Sequence, residues 1–134
     1  MKTRQMLVLG CLVLAAAGLA GCPSSLNGYW MTYDGSCLVE VFGNQMGLVL
    51  DFQDAIVGTM TTNTGTSPCQ IDLNVIEATG PYADLVGERL LGLYEVNGQQ
   101  LRLVFAEPDT GARPSSLDDD TSVVVCLTAV RVSY

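Results

Sequence analysis

Cys69-Gln70-Ile71-Asp72-Leu73-Asn74-Val75 decides the fold class. Cys69, Ile71, Leu73 and Val75 fall on one face, and Gln70, Asp72 and Asn74 on the other. That is the period of a half-buried strand with one wet side. The same alternation recurs where Leu101, Leu103 and Phe105 oppose Arg102. Working outward, strand-like runs cover 29–33, 37–42, 46–52, 55–62, 69–76, 90–96, 99–106 and 122–132. Turn residues separate them: Asp34-Gly35, Gly43-Asn44, Gln53-Asp54, a loop over 63–68, and Asn97-Gly98, the strongest two-residue turn signal in the chain. The best helical candidate, 82–91, is short and contains Gly87. Longer connections fall at 80–87 and 107–121. Eight nearest-neighbour antiparallel strands with one apolar face resolve most simply into a closed up-and-down barrel, because closure removes both edges. A two-sheet sandwich is the alternative.

Composition narrows the chemistry. The 134 residues allow one domain and contain no histidine. Serine–histidine and cysteine–histidine nucleophile pairs, histidine acid–base catalysis and histidine metal ligation are therefore excluded. Fourteen acids against six bases argue against nucleic acid as a partner, since that needs clustered Lys and Arg. The acids Glu88 and Glu95 are seven apart and so on opposite strand faces, which argues against a glycosidase pair. The Asp118-Asp119-Asp120 run has no glycine-ordered calcium loop around it. We expect no enzyme activity, no cofactor and no metal.

The N-terminus carries an address. Lys2 and Arg4 precede an apolar stretch over 6–17, and small residues follow, the layout of a secretory signal. Leu19-Ala20-Gly21-Cys22 resembles the bacterial lipobox, in which the cysteine is acylated and becomes the new N-terminus. That resemblance implies a signal peptide over 1–21, a lipidated tether over 22–27 and a barrel over 28–134. Cys22 would carry a thioether-linked diacylglycerol and an amide-linked, palmitate-type acyl chain. More than one chain makes membrane anchoring stable. Pro23, where inner-membrane lipoproteins tend to carry Asp, favours the outer membrane of the cell envelope, facing the periplasm or the surface. The mature chain would keep four arginines against all fourteen acids, a side-chain charge of −10 without any lysine. Such a body stands off anionic lipid rather than lying in it.

With Cys11 cleaved off and Cys22 lipidated, Cys37, Cys69 and Cys126 remain. One disulfide at most can form among them, and three pairings are open. Their spacing shows no paired-ligand zinc pattern.

Leu26-Asn27-Gly28-Tyr29-Trp30 is similar to the Leu-x-Gly-x-Trp start of lipocalins and related calycin barrels. The resemblance implies that Trp30 closes one end of the barrel, with Arg131 of the last strand stacked on it. A second set of residues resembles an uncharacterised lipocalin-like domain of planctomycete-type bacteria. The set is Pro68-Cys69-Gln70-Ile71-Asp72-Leu73, Gly92-Leu93-Tyr94-Glu95, Asn97-Gly98, Leu101, Ala112-Arg113-Pro114 and Arg131. That family implies a fold and offers no mechanism.

An eight-stranded barrel is either filled by its own side chains or holds one small ligand. Leu48, Leu50, Phe52, Ile71, Leu73, Leu103 and Phe105 are the candidates to line it. The expected function is a lipid-anchored, non-enzymatic envelope lipoprotein. It would bind a small apolar molecule in a cup open at the rim away from Trp30, or serve as an interaction module. The alternative is an acidic barrel that binds or inhibits a basic secreted protein such as lysozyme.

Overall fold

Alternation becomes architecture where the apolar faces of successive strands meet. The computed structural model describes residues 20–23 and 25–132; the expected signal peptide lies outside them as far as residue 19. The strands are β1 (Ala20–Gly21), β2 (Gly28–Thr32), β3 (Leu38–Phe42), β4 (Gln45–Leu50), β5 (Asp54–Asn63), β6 (Cys69–Ala78), β7 (Arg89–Asn97), β8 (Gln100–Ala106) and β9 (Val123–Val132). From β2 to β9 each strand pairs antiparallel with the next. β9 then returns to β2, setting Arg131 opposite Trp30 and Val130 opposite Met31. The eight strands close into an up-and-down barrel, and the sandwich alternative is set aside. β1 adds a short extension beside β7, with Ala20 opposite Asn97 and Gly21 opposite Val96. Two residues expected to leave with the signal peptide thus take part in the sheet.

The inward positions are filled. Trp30, Tyr94, Phe105, Met46, Leu48, Leu50, Ile56, Ile71, Leu73 and Leu90 are all buried in one core, joined by Leu103, Val125 and Leu127. A bulge between Phe105 and Ala106 alters the register near the start of β9. Gly92 is required by this filling. A Cβ there would stand 2.4 Å from the Val104 carbonyl oxygen and 2.6 Å from the Phe105 ring, so the absent side chain is the space the ring occupies.

Phe52 departs from the expected lining. β4 ends at Leu50, and Asp51 and Phe52 form a turn with positive φ of 54° and 68°, closed by Gln53 N–H donating to the Leu50 carbonyl. Two positive φ values mark a type I′ hairpin turn, whose backbone twist suits the flanking strands. The turn breaks the in-and-out parity that ran through Leu48 and Leu50, and Phe52 is 73 % exposed. The helical candidate over 82–91 also resolves differently. A 3-10 segment, Gly80–Leu85, precedes a loop, and β7 begins at Arg89. Gly80-Pro81 starts that segment, and Tyr82 and Leu85 turn into the core.

The long connection over 107–122 is a strap on the outer face. Its Leu117 packs against Leu93, Val104, Val123 and Cys126, a small apolar cluster outside the barrel. Arg113 Nη1 donates to Asp72 Oδ1 at 2.7 Å and to the carbonyls of Gly92 and Ile71. Arg89 holds the other oxygen of Asp72 at 3.1 Å, and Arg102 pairs with Asp118.

Candidate functional site

An up-and-down barrel places its connections alternately at two ends, and here the ends differ in chemistry. The first end gathers the N-terminal segment, the β3–β4 turn (43–44), the β5–β6 loop (64–68), the β7–β8 turn (98–99) and the end of β9. Trp30 and Arg131 lie there. The Arg131 guanidinium is 4.1 Å from the centroid of the indole. Trp30 Nε1 donates to the Leu26 carbonyl at 3.2 Å, and Arg131 Nη1 donates to the Asn27 carbonyl at 3.0 Å. The Asn27 side chain accepts from Gly43 N–H at 2.8 Å. Leu26 is buried, so Leu26-Asn27 is drawn across the barrel mouth as a lid. Gly28 makes this possible: its φ is +131°, and a Cβ would come within 2.9 Å of Arg131 Nη1.

A groove of about 260 Å³ lies at this same end. Leu26, Met60 and Tyr94 supply its apolar part, and Asn27, Asn44 and Thr62 its polar part. Tyr94 bonds the Thr62 side chain, while burial, the stronger influence, pushes its hydroxyl above the ordinary range. The groove lies at the Trp30 rim, opposite to the expected cup. The other mouth is occupied by Tyr82 and Leu85, which the sequence alone did not mark as a plug.

Cys22 is joined to Cys69 by a disulfide, with Cα atoms 5.8 Å apart. The expected arithmetic left Cys22 out of any bridge; instead Cys37 and Cys126 remain as buried thiols. The pairing follows from β1, which lies beside β7 just beyond the start of β6 and so brings Cys22 to Cys69. The bridge points to an extracytoplasmic location, because such bonds persist in oxidising compartments. A sulfur in a disulfide holds no thioether, so bridge and lipid on Cys22 exclude each other. Burial raises the Cys37 thiol above its ordinary range, against lesser opposing bonds from Asp51 and Ser36, which makes it a poor nucleophile.

The second end gathers the connections 33–37, 51–53, 79–88 and 107–122. Asp34, Asp51, Asp54, Glu77, Asp84, Glu88, Glu107, Asp109, Asp118, Asp119 and Asp120 lie in these connections or within two residues of them. The same margin at the Trp30 end holds no acid; its one charged side chain is Arg131. The three adjacent aspartates do not converge. Asp118 goes to Arg102, while Asp119 accepts from both backbone and hydroxyl of Ser115 and Thr121. Those bonds, the Thr121 hydroxyl first, hold the Asp119 carboxyl far below its ordinary range. Among the described residues no group of acids or cysteines could hold a metal ion, and no helix is long and apolar enough to cross a membrane.

Comparison with protein-family models, with curated proteins and with solved structures found no match. The closed barrel is compatible with a calycin-like fold, and the likeness to lipocalins rests on the residues of this chain alone.

Proposed function

We propose that this chain is a lipocalin-like, extracytoplasmic interaction module, non-enzymatic and tethered at Cys22 to the envelope, with an outer-membrane position favoured by Pro23. The filled interior carries this reading. Large side chains occupy the barrel from Trp30, beneath the Leu26-Asn27 lid, to the Tyr82 plug, so recognition falls to the loops and the outer surface. The disulfide supports the compartment. The lipid belongs to a chain whose Cys22 is reduced when it is modified, and Cys69 is then left as a thiol. Intact mass of protein taken from a bacterial envelope separates the two forms. A diacylglycerol adduct on a chain starting at Cys22 supports the tether. A uniformly bridged, unmodified chain refutes it.

The module reading is tested by titrating the pure protein with an apolar fluorescent dye. No saturable binding is expected inside a solid core. Saturable binding abolished by Leu103→Trp would contradict it, since that substitution acts only inside the barrel.

A second reading places a small, partly polar ligand in the groove beside Tyr94. Its volume lies below the usual range for drug-sized ligands, roughly 300–1,000 Å³. Binding lost in Tyr94→Phe with the fold intact would favour it. The acidic end keeps a basic secreted protein such as lysozyme as the alternative partner, and binding that disappears at moderate salt is its signature.

A further inference from the structure

The charge of this protein is segregated along the barrel axis, and the chain enters at the neutral pole. Ten of the fourteen acids sit at the end away from Trp30, with Arg89, and the strap carries an eleventh, Asp118, back along the wall to Arg102. The connections at the Trp30 end are built from Asn, Gly, Gln, Thr, Ser and Pro, beside Arg131. β2 starts at Gly28 at that same end, six residues after Cys22, so a chain tethered at Cys22 enters the barrel there. Phe42, half exposed at the end of β3, stacks edge-on against Tyr29 on its outer flank.

We infer that the acid-free Trp30 rim is a membrane-facing surface, and that the barrel stands end-on against a phospholipid bilayer with most of its acids directed away. This rests on the tether proposed above. The electrostatics are simple. β5, β6 and β9 each have ten residues. At ~3.3 Å per residue, with the strand tilt of a small barrel, the two poles are about 25 Å apart. The screening length at physiological salt is about 8 Å. In the end-on pose the acids of the far connections lie some three screening lengths from the anionic headgroups; Glu40 and Glu95, on the strands, and Asp118, paired with Arg102, lie nearer. Any side-on or inverted pose brings the ten acids of the far connections within one. The rim that remains can meet headgroups through neutral amides and hydroxyls, Arg131 and Phe42. A second copy of the chain is a poorer occupant, because a rim without opposed charges gives it no electrostatic complement.

Trp30 is the only tryptophan, so the native protein carries its own reporter at this rim. The full chain, extracted from the envelope, is reconstituted into phosphatidylcholine vesicles containing phosphatidylglycerol, with or without a nitroxide on the choline headgroup. The end-on pose predicts that Trp30 loses most of its emission in the nitroxide vesicles. The emission added by Val86→Trp, at the acidic end, persists. Placing acids on the rim with Asn44→Asp and Gln99→Asp should relieve the Trp30 quenching at low salt and leave it at high salt. Protein that floats with the vesicles while Trp30 stays bright, or while the added tryptophan is quenched equally, overturns the orientation and spares the tether. Protein that does not float overturns the tether, and the orientation falls with it. Rim protection that depends on protein concentration in detergent alone assigns the surface to a second copy and also overturns the proposal.

Discussion

The Arg131 guanidinium lies over the Trp30 indole at 4.1 Å while its Nη1 reaches past the ring to the Asn27 carbonyl. One side chain therefore holds the ring in place and pins the segment that covers it. Arg131→Ala removes a cation–π contact of about 0.5–2 kcal/mol and a hydrogen bond of about 1 kcal/mol. We expect urea unfolding to show a loss of about 1–3 kcal/mol at unchanged m-value. Arg131→Lys should recover only part of it, because an ammonium cannot both stack flat and reach the carbonyl.

Gly92 and Gly47 offer a paired test of how tightly the barrel is filled. Gly92→Ala puts a methyl against the Val104 carbonyl and the Phe105 ring, whereas the nearest atom to a Cβ at Gly47 is 3.8 Å away. The first should cost about 1–3 kcal/mol, with strain spread into β8. The second should be neutral or stabilising by up to about 1 kcal/mol through the unfolded chain. Thermal unfolding of both variants is the measurement. Equal melting temperatures would mean the interior is looser than described.

The strap over 107–122 is fastened by Arg113. Arg113→Met leaves Asp72 with Arg89 alone and removes the donors to Gly92 and Ile71. The barrel should persist by circular dichroism while the strap opens more often. Cys126, buried beneath Leu117, should then react severalfold faster with a thiol reagent, and Cys37, inside the barrel, should not.

Acid should weaken the loops before the core. Asp34 is lowered from its ordinary value of 3.8 by bonds from the Ser36 backbone and hydroxyl and from Thr32, and Asp119 is lowered by Thr121 and Ser115. A carboxyl lowered on folding contributes stability that is whole above its unfolded value and is lost as pH falls through the folded one. Stability should therefore be level from neutral pH down to about 4 and decline below that. Asp34→Asn and Asp119→Asn should each flatten the decline, measured as urea midpoints against pH.

Much of the barrel was legible because its signals are local. All eight expected runs end within two residues of the observed strands at both edges, since alternation and turn residues fix them. The Gly-x-Trp start and an arginine near the end of the last strand were legible as a pair because closure makes the first and last strands neighbours. Phe52 was misplaced because Asp51 and Phe52 adopt a turn conformation uncommon for such residues, which no composition rule marks. Cys22–Cys69 was missed because it depends on where the segment before the barrel lies beside β7, a non-local fact. The Tyr82 plug was hidden in an apparent loop, although Gly80-Pro81 before two spaced apolar residues was a usable sign. The charge segregation was readable only once strand directions assigned the loop acids to an end.

A barrel sealed at the Trp30 end is the claim on which the rest depends, and one proton reports on it. The Trp30 Nε1–H is unique in the chain, buried, and bonded to the Leu26 carbonyl beneath Arg131. Its exchange with deuterium can be followed by NMR in the native protein. A sealed end predicts exchange as slow as global unfolding allows, with the same denaturant dependence as the core strand amides. Exchange complete within the dead time, at neutral pH and without denaturant, would contradict it.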